Sequence, residues 1–327
     1  MKIFNESFCK KSATIFVSLG VLFMSVSCHN EDVELESLDS KNASYSSKIR
    51  NGQKVETVTG DLPGFGFDAV TVDKRGNIFV SEFGRFTSSG PDGTSIFKIT
   101  KKGEVKEFAS DLSGPLGNAT DQRGNFYVVN GSNGEDGDVL KITPDGTQIK
   151  LATIDGFPSG LTLDKRNNIY VSNFTSPTVH KITQTGEVSV YATDPRLAGG
   201  VGIDFDNRGN LIVGNYTTAD ILSINRRGNI SLIATIPDIV INGAGIGYIT
   251  VANNTIFATG ISVHKIFSVS LDGKIEVFAG NGEADSVDGE LLEASFNSPN
   301  GITIDKRTRT LHISEYSRTR IRTIQLY

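Results

Sequence analysis

The sequence predicts an all-β protein: a six-bladed β-propeller with four antiparallel strands per blade, its last blade closed by the N-terminal strand. Three observations carry this expectation. A tight turn recurs about every 42 residues, a second turn recurs between its copies, and short period-two runs fill the intervals.

Residues 1–27 read as a lipoprotein signal peptide. Lys2, Lys10 and Lys11 form a basic start, and Ala13 to Val26 is a nearly unbroken apolar run. At about 14 residues, it is shorter than the roughly 20 that a spanning helix needs, and it suits a signal-peptide core. The run ends in Met24-Ser25-Val26-Ser27-Cys28. Small residues directly before a cysteine resemble the lipobox of bacterial lipoproteins, although Ser25 stands where that motif usually carries an aliphatic residue. The resemblance implies acylation of Cys28 and an exported protein anchored in the bacterial cell envelope, in the outer membrane. The cysteines are Cys9 and Cys28, and loss of the signal removes Cys9, so the mature chain can form no internal disulfide. Residues 28–52 are polar, with no helical or strand period, and read as a flexible tether. Removing residues 1–27 leaves 29 basic and 36 acidic residues, a net charge of −7. Nucleic-acid binding needs a basic footprint and is not expected.

The propeller is expected over residues 53–327. Its first turn appears as Asp73-Lys74-Arg75-Gly76-Asn77, Asp121-Gln122-Arg123-Gly124-Asn125, Asp164-Lys165-Arg166-Asn167-Asn168 and Asp206-Asn207-Arg208-Gly209-Asn210. Asp305-Lys306-Arg307 is the last copy, and Ala252-Asn253-Asn254 is degenerate. The second turn appears at Lys102-Gly103, Asp145-Gly146, Thr185-Gly186, Arg227-Gly228 and Asp272-Gly273. Gly and Asn supply the positive φ that hairpin turns demand. Blades start near Asp68, Leu116, Ser159, Val201, Ala244 and Asn300, and the sixth has only three strands before Tyr327. The strand Gln53 to Val58 reads like Gly103 to Phe108 and supplies the fourth, leaving no open edge.

Val277-Phe278-Ala279-Gly280-Asn281-Gly282, followed by Val287-Asp288-Gly289 and Ala294 to Asp305, resembles the linker and first strand of an NHL repeat. His264-Lys265-Ile266 is similar to that repeat's His-basic-Ile step. From Gln53 onward the blades also resemble the superfamily that contains gluconolactonases and other six-bladed lactonases. One fold of this kind hosts many functions.

Turn lengths assign a working face. The tight turns join first to second and third to fourth strands. The irregular connections, Gly84 to Thr94, Gly131 to Gly137 and Asn281 to Pro299, belong to the other side of the disc. A rigid scaffold positions functional loops, so that loop-rich face is the expected site. Second strands end there in Glu82, Asn130, Asn173, Asn215 and Glu315, with Gly260 breaking the series. Innermost strands begin with Asp68, Asn118, Ser159 and Asn300. Oxygen donors of this kind suit Ca²⁺, with Asp68, Glu82 and Asn300 the candidate ligands. The same side chains also cap turns and strand ends. Gluconolactonases hold their ion with a Glu at the first inner strand and Asn or Asp at others. That resemblance maps onto Asp68 and Asn300, while Leu116, Ser159 and Val201 fall where further ligands are expected.

His29, His180, His264 and His312 lack metal-ligand spacing, and there is no Gly-x-Ser-x-Gly elbow, Cys/His pair or phosphate-cradling loop. Two functions remain. The first is a monomeric, lipid-anchored module binding a protein or small molecule through the loop face; the alternative is a Ca²⁺-dependent lactonase or esterase.

Overall fold

The computed structural model describes residues 52–88 and 90–327. The expected signal peptide, Cys28 and almost all of the tether lie outside the described residues.

Six antiparallel sheets of four long strands form the blades. Their innermost strands are Phe67–Val72, Asn118–Thr120, Pro158–Leu163, Gly200–Phe205, Ile246–Ala252 and Pro299–Asp305. Each touches the next in cyclic order, and the sixth touches the first, so the ring is closed. The N-terminal strand Lys54–Thr57 pairs antiparallel with Ile321–Gln325, as the sequence leads one to expect. A further short strand, Gly289–Glu290, covers its outer edge, which the repeat pattern does not foretell.

The repeating turn has a single chemical explanation. Asp73 Oδ1 accepts the amides of Arg75 and Asn77 at 2.8 and 2.9 Å, and its Oδ2 accepts Asn77 Nδ2 at 2.7 Å. Asp121, Asp164 and Asp206 repeat that clamp. The fourth turn residue takes φ between 62° and 88° in these copies, which Gly tolerates and Asn167 adopts.

Apolar clusters sit between neighbouring blades. Leu62, Phe67, Val80, Phe97 and Ile99 of blade 1 pack on Ile321 of blade 6, and Leu116, Tyr127 and Val139 of blade 2 pack on Leu161 and Ile169 of blade 3. Each such side chain contributes about 1.5–3 kcal/mol on burial.

Around the channel, hydroxyls join one blade to the next. Ser81 Oγ donates to Leu116 O at 2.8 Å, Ser172 Oγ to Val201 O at 2.8 Å, and Thr259 Oγ1 to Asn300 O at 2.7 Å; Ser314 Oγ donates to Asp68 O. Ser172 Oγ also accepts Gly160 N at 3.0 Å. The strands approach so closely here that a Cβ on Gly160 would sit 1.8 Å from Val201 O.

Ser172→Ala strands the Gly160 amide and the Val201 carbonyl together. It should cost about 1–3 kcal/mol in urea unfolding. Gly160→Ala should cost more, because backbone must move; equal or smaller losses would contradict the close approach.

Candidate functional site

The ends of the second strands are spent on their own loops. Glu82 accepts the amides of Phe65 at 3.1 Å and Thr94 at 3.4 Å. Asn130 Oδ1 accepts Ser113 N at 2.8 Å. Asn173 Oδ1 accepts Phe157 N, Thr175 N and Ser176 N at 2.8–3.1 Å, while its Nδ2 donates to Asp155 O at 2.7 Å. Asn215 holds Thr217 N and Thr218 N and donates to the carbonyls of Arg196 and Ala198. Glu315 is fully buried; it accepts Asn297 N at 2.9 Å, Ser286 Oγ at 2.7 Å and Arg322 Nη1 at 3.1 Å. These five residues cap the loops that build the face, including the connections that arrive from the preceding blade.

Asp68 and Asn300 are brought together. Asn300 Nδ2 donates to Asp68 Oδ2 at 2.9 Å, and Asp68 Oδ1 accepts Ala69 N at 2.9 Å and the Tyr248 hydroxyl. Glu82 turns instead to its loop amides. Asn118 stands elsewhere: it pairs with Val128 as Val70 pairs with Val80, two residues along the strand from the Asp68 level. Its Nδ2 donates to Ala69 O at 2.9 Å and Ser81 Oγ at 2.7 Å.

The Asp68 level can be tested as a calcium centre. Leu116, Ser159, Val201, Gly247 and Asn300 occupy the matching positions. Asn300 presents its nitrogen to Asp68, and both Asp68 oxygens already accept hydrogen bonds. Calcium asks for six to eight oxygens. This donor set does not fit it.

What surrounds Asp68 is aromatic. Burial, and after it the negative charge of Asp68, raises the hydroxyl pKa of Tyr216 and of Tyr316, which stand on blades 4 and 6. Tyr316 packs edge-on to Phe65 at 5.8 Å and donates to Gly84 O at 2.9 Å. Arg85 lies 4.6 Å over the Phe65 ring, and Phe174 stacks edge-on against Tyr216 at 5.8 Å. Phe65, Phe174, Tyr216 and Tyr316 are all half-buried. Two aromatic pairs, Phe65–Tyr316 and Phe174–Tyr216, thus stand on the loop side in the electrostatic range of the buried Asp68.

Sequence reading did not single out Tyr248, which reaches from blade 5 to Asp68. A signal was available. At its position the other blades carry Ala69, Gly117, Gly160, Gly202 and Gly301, so one large residue stands among five small ones.

Burial pushes Asp68 up to about 6, against the opposing hydrogen bonds from Tyr248, Asn300 and Ala69. The folded state therefore keeps a proton that the unfolded chain, with a pKa of 3.8, has released. Stability falls as pH rises from about 4 to about 6, by about 3 kcal/mol in all. His312 works the other way: burial lowers it from 6.5 to about 4, so stability is lost as pH falls through that window. The two offset each other in the wild type. Asp68→Asn should unmask a stability that climbs with pH between about 4 and 6 in urea titrations; an unchanged slope would refute the buried ionisation.

No protein-family model and no curated protein matches the chain. Solved structures do. An auxiliary nutrient binding protein from Bacteroides thetaiotaomicron is 18% identical with a TM-score of 0.66, over 83% of this chain and 76% of that one. A gluconolactonase from Xanthomonas campestris is 12% identical with a TM-score of 0.62, over 86% and 93%. Virginiamycin B lyase from Staphylococcus aureus is 19% identical with a TM-score of 0.58, over 84% and 100%. At these identities the likeness establishes the six-bladed propeller fold.

Proposed function

We propose that this protein is a lipid-anchored, non-catalytic propeller that binds a small ligand in the aromatic cup of its loop face. The observation that carries this reading is how the polar groups are used. Glu82, Asn130, Asn173, Asn215 and Glu315 are committed to loop amides, which leaves rings and one buried carboxyl around the channel mouth. Aromatic surface with few polar groups is what concave ligand sites use. The likeness to a nutrient binding protein supports the same reading.

The strand Lys54–Thr57 takes the fourth place in blade 6, so the chain enters it on the tight-turn side. The anchor we propose is Cys28, in the outer membrane of the cell envelope.

A calcium-dependent lactonase is the second reading; Asp68 and Asn300 at inner-strand starts suggest it, and the spent Asp68 oxygens count against it. The two readings separate in one experiment. A melting-temperature screen against sugars, short oligosaccharides and lactones, with and without calcium, should give saturable stabilisation without turnover. Tyr316→Ala combined with Tyr216→Ala should weaken the best compound by at least tenfold, about 1.4 kcal/mol. Lactone hydrolysis dependent on calcium and abolished by Asp68→Asn would overturn the binding reading.

A further inference from the structure

The channel has a second polar chamber that the loop-face cup does not use. It is a cavity of about 260 Å³ bounded by the inner strands of several blades, with Tyr248 and Asn118 among its walls. Asp68 and Asn300 are not among its walls; Lys306, in the tight turn after the sixth inner strand, is. The cavity therefore extends toward the tight-turn face. At under the roughly 300–1,000 Å³ of drug-sized pockets, it suits a smaller solute.

Three polar features mark this chamber. Asn118 is buried, and its Oδ1 has no hydrogen-bond partner although its Nδ2 has two. An unpaired buried acceptor costs about 1–3 kcal/mol, which a donating ligand would recover. Asp204 is the second feature. One of its oxygens accepts Val251 N at 2.8 Å and the Thr250 hydroxyl at 3.1 Å, the other Phe205 N at 2.7 Å. That fixes a carboxylate at a level where Thr71, Ala119, Thr162, Thr250 and Thr303 hold the matching places. The third is Lys306: burial raises the Asp204 pKa, and the Lys306 charge, on the same chamber's wall, partly offsets that.

A carboxylate and a lysine thus line one small chamber, with a free acceptor deeper in. An inorganic cation would meet one carboxylate and the repulsion of Lys306. A neutral polyol would use neither charge. We propose that this chamber binds a small zwitterionic solute, a free α-amino acid or a molecule of that size. Its ammonium lies toward Asp204 and Asn118 Oδ1, and its carboxylate toward Lys306. Asp204 and Lys306 lie outside the loop-face cup, so the two sites stand or fall separately.

Calorimetric titration of the full chain with alanine and glutamine tests this directly. Three controls each remove part of the recognition: alaninamide lacks the carboxylate, N-acetylalanine lacks the ammonium, and glucose lacks both. The zwitterions should bind with a Kd at or below about 1 mM, and each control at least tenfold more weakly. Lys306→Met, at an exposed position, should weaken alanine but not alaninamide, which is also a cation and can only gain from the lost repulsion. Asp204→Asn should weaken both. No saturable zwitterion binding by about 10 mM would overturn the proposal. So would glucose binding as well as alanine, or alanine affinity indifferent to Lys306→Met. The controls act on the unaltered protein, so the proposal stays testable even if Asp204→Asn fails to fold.

Discussion

Closure of the ring by the N-terminal strand is the constraint on which the remaining geometry rests. Val55 is fully buried within it, and Thr57 is held by Asp288, whose carboxylate takes the Thr57 amide at 3.1 Å and hydroxyl at 2.7 Å. Asp288 also accepts Arg322 Nη2 at 2.7 Å, and Arg322, fully buried, continues to Ser295 O and Glu315. One guanidinium therefore ties the closing strand, the long Asn281–Pro299 connection and a second-strand end together. The fully buried Arg322–Glu315 pair adds little net stability, because both ions are stripped of water. Glu315, whose position suggests a ligand, spends its oxygens on this clamp.

Closure also sets the spacing of the inner strands. Glycine stands where two strands nearly touch, at Gly160 and Gly301, and hydroxyls from Ser172 and Ser314 bridge the same gaps. Where Gly214 takes the hydroxyl's place, a Cβ would lie 2.8 Å from Ile249 Cγ2, so packing of the next blade fills that position. The inner ring is consequently stiff. Under the two proposals, ligand recognition falls to what is mounted on it: aromatic residues at the loop mouth, and Asp204 and Lys306 toward the turns.

Sequence reading caught whatever recurs. The Asp-x-Arg-x-Asn turns, the blade count, the closing strand and the separation of tight and irregular connections all follow from repeated local chemistry, which one blade reveals and five others check. Residues that depart from the repeat escaped. Tyr248 acts across a blade boundary and Arg322 reaches into the long connection before blade 6, and a pattern of aligned positions carries no record of where such a side chain reaches. Asn118 was grouped with Asp68 because both open inner strands. Most blades carry an irregularity before the regular ladder begins, as between Phe67 and Val70, while the blade 2 ladder begins at Asn118 itself. Strand beginnings therefore differ in level, and the amide falls two residues further along.

The Asp68 carboxyl is where stability and use come apart. The six blades fill its position with Asp68, Leu116, Ser159, Val201, Gly247 and Asn300, so the fold places no demand for an acid there. At neutral pH its buried ionisation costs about 3 kcal/mol, a sizeable share of the roughly 5–15 kcal/mol that keeps a domain folded. Tyr248 and Asn300 reduce that cost without cancelling it, since the pKa still stands near 6. A leucine or valine would pack the site without the penalty, as blades 2 and 4 demonstrate with Leu116 and Val201. Perturbed acids of this kind concentrate at working sites. Here the acid shares the loop side of the channel with Tyr216 and Tyr316, and the binding proposed there is what would offset the cost.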